Sequence, residues 1–327
     1  MTRLNWRNIE TVLQTIWVGI WFNLFTYGGV VLGIGLMAKL LLSQYWWLGV
    51  LYSIWIYYDD KPRRGGRVWF KHLFFLDWFR SYFPLKLIKT VDLDPTKNYI
   101  FASYPHGTFA VAALHTTATN GRNFTKLFPG LSVRMIIHNF FYFVPFYREL
   151  MQIFPTIDSS AQSIKYVLDK DRYKGICAVI IIGGAREALE SAPGKHRLVF
   201  YQRQGFIRVA IQTGASIVPM YSFGETEIFG KTTYDNKLLL RFQHWFLNMF
   251  GIMVMRMDGR GPLGRIPLKT PVNVVVGAPL HVKKNPNPSK TNIEEVQAQF
   301  KERLIELFER EKSKYLENYE SLHLEFI

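Results

Sequence analysis

The sequence predicts an α/β protein: a transmembrane helical hairpin at the N-terminus, then one domain built on a largely parallel sheet. Three observations carry this. Two long stretches without a charged residue open the chain, at 11–38 and 40–58. Short apolar runs rich in β-branched residues follow at 99–103, 133–137, 176–182, 216–223 and 272–276. Amphipathic helical patterns separate several of them, and strands that alternate with helices imply parallel pairing through helical crossovers.

The hairpin comes first. A helix rises about 1.5 Å per residue and about 20 apolar residues cross the hydrocarbon of a bilayer, so both opening stretches are long enough. Only Lys39 and the polar pair Ser43-Gln44 come between them. Two spans joined so tightly return the chain to its starting side. Gly28, Gly29, Gly33 and Gly35 also leave open a re-entrant path for the first stretch. Arg3 and Arg7 precede the hairpin, and Lys61, Arg63, Arg64, Arg67 and Lys71 follow it. Basic flanks stay cytoplasmic, so both termini are expected to face the cytosol. Tyr45, Trp46, Trp47, Tyr57 and Tyr58 sit near the stretch ends, where interfacial aromatics belong. The apolar length exceeds a signal-peptide core. A buried hairpin in a soluble protein is the competing reading. With cytosolic topology the sequon Asn123-Phe124-Thr125 stays unmodified.

Pro62, Gly65 and Gly66 among basic residues mark a boundary, giving an anchoring hairpin at 1–65 and a cytosol-facing domain at 66–327. Within the domain, residues 161–170 place Ile164, Val167 and Leu168 on one helical face. Residues 205–213 and 293–316 repeat apolar positions in the same way, the latter at Ile293, Val296, Phe300, Leu304, Leu307 and Phe308. The aromatic segment 134–155 either lines a lipid-facing surface or fills the core.

The 327 residues carry a net charge of +15, with a pI near 9.7. Such a balance suits an anionic partner: nucleic acid, an acidic membrane surface or a phosphate-bearing small molecule. No basic stripe interleaved with aromatics supports nucleic acid. His106, His115, His138, His196, His244 and His281 are scattered without ligand spacing, so no metal is expected. Cys177 is the single cysteine, which excludes an internal disulfide. It lies in an apolar run with no basic neighbour to activate it.

Chemistry concentrates at strand ends. Tyr104-Pro105-His106-Gly107 directly follows the first strand. Proline and glycine fix the backbone around His106, and Gly107 leaves room for a substrate and a free N–H. A histidine near neutral pKa suits a general base for a hydroxyl, and oriented N–H groups can hold an oxyanion. A structural histidine in a turn is the alternative. Gly183-Gly184-Ala185-Arg186-Glu187 follows another strand, at the edge where α/β sheets bind ligands. Glu187 either orients His106 as a triad carboxylate does or answers a helix dipole. The block 203–225 reads as loop, helix, glycine stop and buried strand; its Arg203 and Arg208 meet either phosphates or solvent.

Taken together, these boxes resemble the type 2 diacylglycerol acyltransferase family, which also holds monoacylglycerol and wax-alcohol acyltransferases. The resemblance runs over almost the whole chain: the hairpin, Tyr82-Phe83-Pro84, Tyr104 to Gly107, Phe128-Pro129-Gly130, Gly183-Gly184 with Glu187, Pro193-Gly194-Lys195, residues 203–225, Gly259-Arg260-Gly261, and Val276-Gly277 with Pro279. Block 203–225 is also similar to that of glycerolipid acyltransferases acting on lysophosphatidate. The resemblance implies a glycerolipid-acyltransferase-like domain that transfers acyl groups from acyl-CoA, as substrate rather than cofactor, to diacylglycerol. Monoacylglycerol or a long-chain alcohol is the alternative acceptor, and a silent lipid-binding relative the alternative of another class. The resemblance implies His106 and Glu187 as catalytic residues. It sets Tyr104, Pro105, Gly107, Gly183, Gly184, Arg186, Arg203, Gly205, Phe206, Glu225 and Arg260 near substrate. It also implies endoplasmic reticulum membrane, with lipid droplets as a further destination; a homodimer is compatible with it. One departure stands out. The broader superfamily pairs its histidine with an aspartate five positions on, where this chain has Val111. Tyr104 stands where many animal relatives carry histidine.

Overall fold

The computed structural model describes residues 6–65, 79, 81–119, 121–261 and 264–327. Gly66 of the expected boundary and the basic flank residues Arg67 and Lys71 lie outside them.

The N-terminal stretches form three helices: α1 (Trp6–Phe25), α2 (Tyr27–Leu41) and α3 (Trp46–Tyr58). The first stretch is therefore not one straight span. It breaks at Thr26, and the two pieces are bent by 56°. Among the described residues no single helix is long and apolar enough to cross a membrane, although the two helices of this bent pair together reach that length and apolarity. Contacts with the domain account for the break. In α1, Val18, Trp21 and Phe22 are buried in the main core, against Phe79, Phe83 and Phe229. Trp21 Nε1 donates to His115 Nε2 at 3.2 Å. In α2, Gly29 and Gly33 let the helix press on the segment 145–147: a Cβ at Gly29 would stand 2.8 Å from the Tyr147 ring, and one at Gly33 2.3 Å from the Pro145 carbonyl. At the end of α3, Asp59 pairs with fully buried Arg148 at 2.7 Å.

The domain sheet has strands β1 (Leu85–Lys89), β2 (Tyr99–Tyr104), β3 (Ser132–Ile137), β4 (Thr156–Asp158) and β5 (Ile176–Ile181). A two-residue strand, β6 (Arg197–Leu198), pairs elsewhere with the C-terminal β9 (Glu325–Phe326). Strands β7 (Ser216–Phe223) and β8 (Val272–Val276) complete the sheet. Its order is β1-β8-β7-β2-β5-β3-β4, parallel except between β7 and β8. The largely parallel expectation holds, and all five expected strands are present.

Between the strands lie α4 (Ala161–Leu168), α5 (Gly184–Glu190), α6 (Gly205–Thr213), α7 (Lys237–Phe250) and α8 (Lys290–Glu311). Side chains start three of them: Ser160 Oγ accepts from the Ser163 N–H, Asn236 Oδ1 from the Leu238 N–H, and Ser289 Oγ from the Asn292 N–H. Alternate residues of the central strands feed two cores. Phe101, Val179 and Val218 face the layer that includes α1, while Ala102, Ala178 and Ile217 face α4, α6 and α8. Burial on both faces is why these strands read as continuous apolar runs rather than alternating ones. In the aromatic segment Tyr142 and Tyr147 are buried, whereas Phe143 is 65% exposed and Phe146 40%.

Candidate active site

Three neighbouring central strands, β7, β2 and β5, end at one edge of the sheet. The register aligns Ser103 of β2 with Ile181 of β5 and Met220 of β7, so the residues just beyond these points are neighbours. They are His106, Gly183 and Glu225. In a parallel sheet this carboxyl edge is where the chain leaves the strands and ligands bind.

His106 is half-buried. Its Nδ1 lies 3.0 Å from the Gly107 carbonyl. A proton on Nδ1 satisfies that contact and leaves Nε2 as the basic nitrogen. Burial holds its pKa below the ordinary histidine value, opposed by the Gly107 contact. Gly107 has φ +56°, and a Cβ there would stand 2.6 Å from Glu225 Cγ, so only glycine fits.

Glu187, at 2% exposure, is drawn into the same centre by α5. Its Oε1 accepts the backbone N–H of His106 at 2.6 Å and its Oε2 that of Val199 at 2.8 Å. The carboxylate therefore clamps the main chain of His106 and makes no bond to the ring. Gly183 is required beside it, since a Cβ there would meet Oε2 at 2.1 Å. Burial pushes the Glu187 carboxyl up to about 7, against the pull of the two N–H bonds and of Arg203.

Glu225, also 2% exposed, plays a parallel part from the end of β7. Its two oxygens accept the N–H groups of Val111 and Ala112 at 2.8 and 2.7 Å, holding the turn that follows His106. Burial pushes it, too, up to about 7. Val111 is the position where a dyad aspartate would sit; its side chain is 3% exposed and packed in the core.

The remaining expected site residues divide. Arg203 reaches the glycine turn, donating from Nη2 to the Gly183 carbonyl at 2.7 Å, while its Nε is buried without a hydrogen-bond partner. Gly184 sits at φ +62° beside it. Arg186 is exposed, its Nη1 at 3.4 Å from Gln202 Oε1. Tyr104 and Pro105 are buried behind His106; the Tyr104 ring packs with Phe200 and its hydroxyl has no partner. Gly205 is the exposed first residue of α6, but Phe206 packs into the core on Phe300. Arg260 belongs to a different group, donating to the Tyr82 hydroxyl at 2.7 Å. The partners that sequence reasoning missed are main-chain N–H groups, of Val199, Val111 and Ala112, which no residue identity announces. Among the described residues no group of metal-binding side chains occurs.

The family model described as diacylglycerol acyltransferase matches residues 38–326. A 2-acylglycerol O-acyltransferase 1 of Bos taurus is 36% identical, over 94% of this chain and 93% of its own. Diacylglycerol O-acyltransferase 1 of Schizosaccharomyces pombe is 36% identical, over 84% and 81%. Among solved structures, the 1-acyl-sn-glycerophosphate acyltransferase PlsC of Thermotoga maritima matches with a TM-score of 0.44 at 11% identity, covering 95% of this chain and all of that one. With its family model spanning nearly the whole sequence and such relatives along most of its length, this chain belongs to the diacylglycerol acyltransferase family.

Proposed function

We propose that the protein is an acyl-CoA-dependent O-acyltransferase that converts diacylglycerol to triacylglycerol, with His106 as general base. The observation that carries this is the presentation of His106: a half-buried ring at the carboxyl edge of β2, with its Nδ1 turned to Gly107 and its backbone gripped by a buried carboxylate. Nε2 takes the acceptor hydroxyl proton as the oxygen attacks the thioester carbonyl. The tetrahedral intermediate then collapses, the C–S bond breaks, and the imidazolium returns its proton to the CoA thiolate. A pKa below the ordinary value keeps the ring neutral and competent at neutral pH. Glu187 acts as a positioning residue, because its contact is with the His106 main chain. Thiolate is a good leaving group, so the reaction does not demand a dyad carboxylate on the ring.

Relatives from Bos taurus and Homo sapiens named 2-acylglycerol O-acyltransferase 1 favour monoacylglycerol as the second reading of the acceptor. An acceptor panel separates them. Purified protein receives labelled oleoyl-CoA with diacylglycerol, monoacylglycerol or hexadecanol, and His106→Ala is run beside it. Esterification of diacylglycerol, abolished in the variant, is the expected result. An active His106→Ala protein removes the general base. No product from folded wild type makes the silent lipid-binding reading the leading one.

We also propose an endoplasmic reticulum membrane location with both termini cytosolic. The exposed apolar residues of α1, α2 and α3 support it, among them Val31 at 68% and Leu51 at 56%. Protease digestion of the C-terminus in sealed microsomes tests the topology; a protected C-terminus refutes it.

A further inference from the structure

We infer that α7 is an interfacial helix, lying in the surface of a membrane with anionic headgroups and holding the active-site edge against the lipid. Its sequence and its packing both point there. Leu238, Phe242, Trp245 and Met249 recur at spacings of four, three and four residues and share one face. They are exposed by 74%, 45%, 52% and 61%. Leu239 and Phe250 widen the face. The rings pack on one another, with Phe242 and Trp245 5.8 Å apart and Phe246 and Phe250 4.6 Å apart. Such a face on a soluble surface would forfeit the burial that apolar side chains normally find.

The helix is well formed for this use. Asn236 Oδ1 caps it, accepting from the N–H groups of Leu238 and Leu239, and Gly251 ends it at φ +68°. Fourteen residues make it about 21 Å long, shorter than the roughly 30 Å hydrocarbon core, so it lies on a bilayer instead of crossing it. Lys237, Arg241 and His244 form a strip along the flank of the apolar face. Asp235, the acid just before the helix, is taken by Lys231 and Arg256, which leaves the strip its positive charge. A wide apolar face with a basic flank is the pattern of a helix seated among anionic headgroups.

Packing on the opposite side explains why the protein would place it there. Gln243, fully buried, donates to the carbonyls of Thr232 and Val254, and Leu247 packs on Ala188. Ala188 is the neighbour of Glu187 on α5. The helix therefore backs directly onto the element that holds His106. It is also tied to the N-terminal helices, since the Tyr27 hydroxyl donates to the Met253 carbonyl and accepts the Met255 N–H. Among the described residues, every large exposed apolar side chain except Tyr201 and Tyr319 lies within 12–58, 143–146 or 238–250. Phe146 joins Tyr52 of α3 through a hydrogen bond and ring contact, so the three segments are linked.

The buried state of Cys177 makes the test direct, because a second cysteine becomes the single accessible thiol. Trp245→Cys and His244→Cys proteins, full length, are labelled with a polarity-sensitive fluorophore. They are placed in nanodiscs of phosphatidylcholine with or without phosphatidylserine, some carrying nitroxide on the acyl chain. Position 245 should emit at shorter wavelength and lose intensity to the acyl-chain nitroxide; position 244 should lose much less. Lys237→Glu with Arg241→Glu should weaken the loss at 245 in phosphatidylserine discs. A cooperative unfolding transition verifies each labelled protein, independently of acyl transfer. Unquenched emission at 245 overturns the inference. A blue shift without nitroxide quenching also overturns it, by assigning the face to another protein surface. Quenching that ignores both phosphatidylserine and charge reversal overturns the anionic assignment.

Discussion

Replacing Glu187 by glutamine should separate turnover from stability. The carboxylate accepts two main-chain N–H groups, from His106 at 2.6 Å and Val199 at 2.8 Å. Glutamine offers one carbonyl oxygen, and its NH2 must face the second donor. One bond to a charged group is lost and a buried donor is orphaned, together costing about 3 kcal/mol. Against this, the variant no longer buries a charge. The folded carboxyl titrates at about 7 against an ordinary 4.5, so its contribution to stability is full below 4.5 and falls as pH rises through 7. That difference corresponds to about 3 kcal/mol at alkaline pH, as an upper bound. The two terms nearly cancel, so thermal unfolding at about pH 8 should shift by only a few degrees. Turnover has no such compensation. A displacement of His106 on the order of 1 Å costs about 10- to 100-fold in kcat. The assay is initial-rate acyl transfer in reconstituted vesicles, with kcat and the KM for acyl-CoA separated, beside a melting curve. A variant within about twofold of wild-type kcat refutes the positioning role. An effect confined to KM moves Glu187 to the acyl-CoA site.

Gly107→Ala forces a side chain into a left-handed backbone, at about 1–2 kcal/mol, and onto Glu225 Cγ; it should lose most activity, and an unimpaired variant would show that the turn can relax. Arg203→Gln should raise the KM for acyl-CoA more than it lowers kcat, measured by the same initial rates; the reverse split would assign Arg203 to the chemistry. The acid limb of kcat/KM should fall below the ordinary histidine value of 6.5, because His106 must be neutral and its pKa is lowered. A limb near 7 instead transfers control to Glu187 or Glu225, whose N–H grips weaken on protonation.

The central sheet was legible because β2, β5 and β7 are buried on both faces and so write continuous apolar runs. The edge strands were not. In β1 the sequence Leu-Lys-Leu-Ile-Lys mixes charge into the pattern, and β4 is only three residues long. The helix α7 was missed although its periodicity is strong. The N-terminal stretches read as two spans, with a re-entrant path left open for the first at its glycines; what the sequence does not show is that α1 is diverted into the core by partners more than 50 residues away. At the site, His106, Gly107, Glu187, Arg203 and Glu225 were all named from their boxes, and sheet register brings them together. What residue types could not reveal is that both carboxylates hold main-chain amides. A hydrogen bond to a peptide N–H leaves no trace in the partner's side chain.

The burial of α1 has a consequence for biosynthesis. Trp21 and Phe22 leave the ribosome well before their partners, which include His115 and Phe229. Strand β1 waits still longer, for β8 at Val272–Val276. Until Phe229 has been made, α1 has its neighbour α2 but only part of its core to pack against. On the membrane location proposed above, the lipid surface is its holding place meanwhile, and folding of the domain draws one face of that helix away from lipid to finish the core.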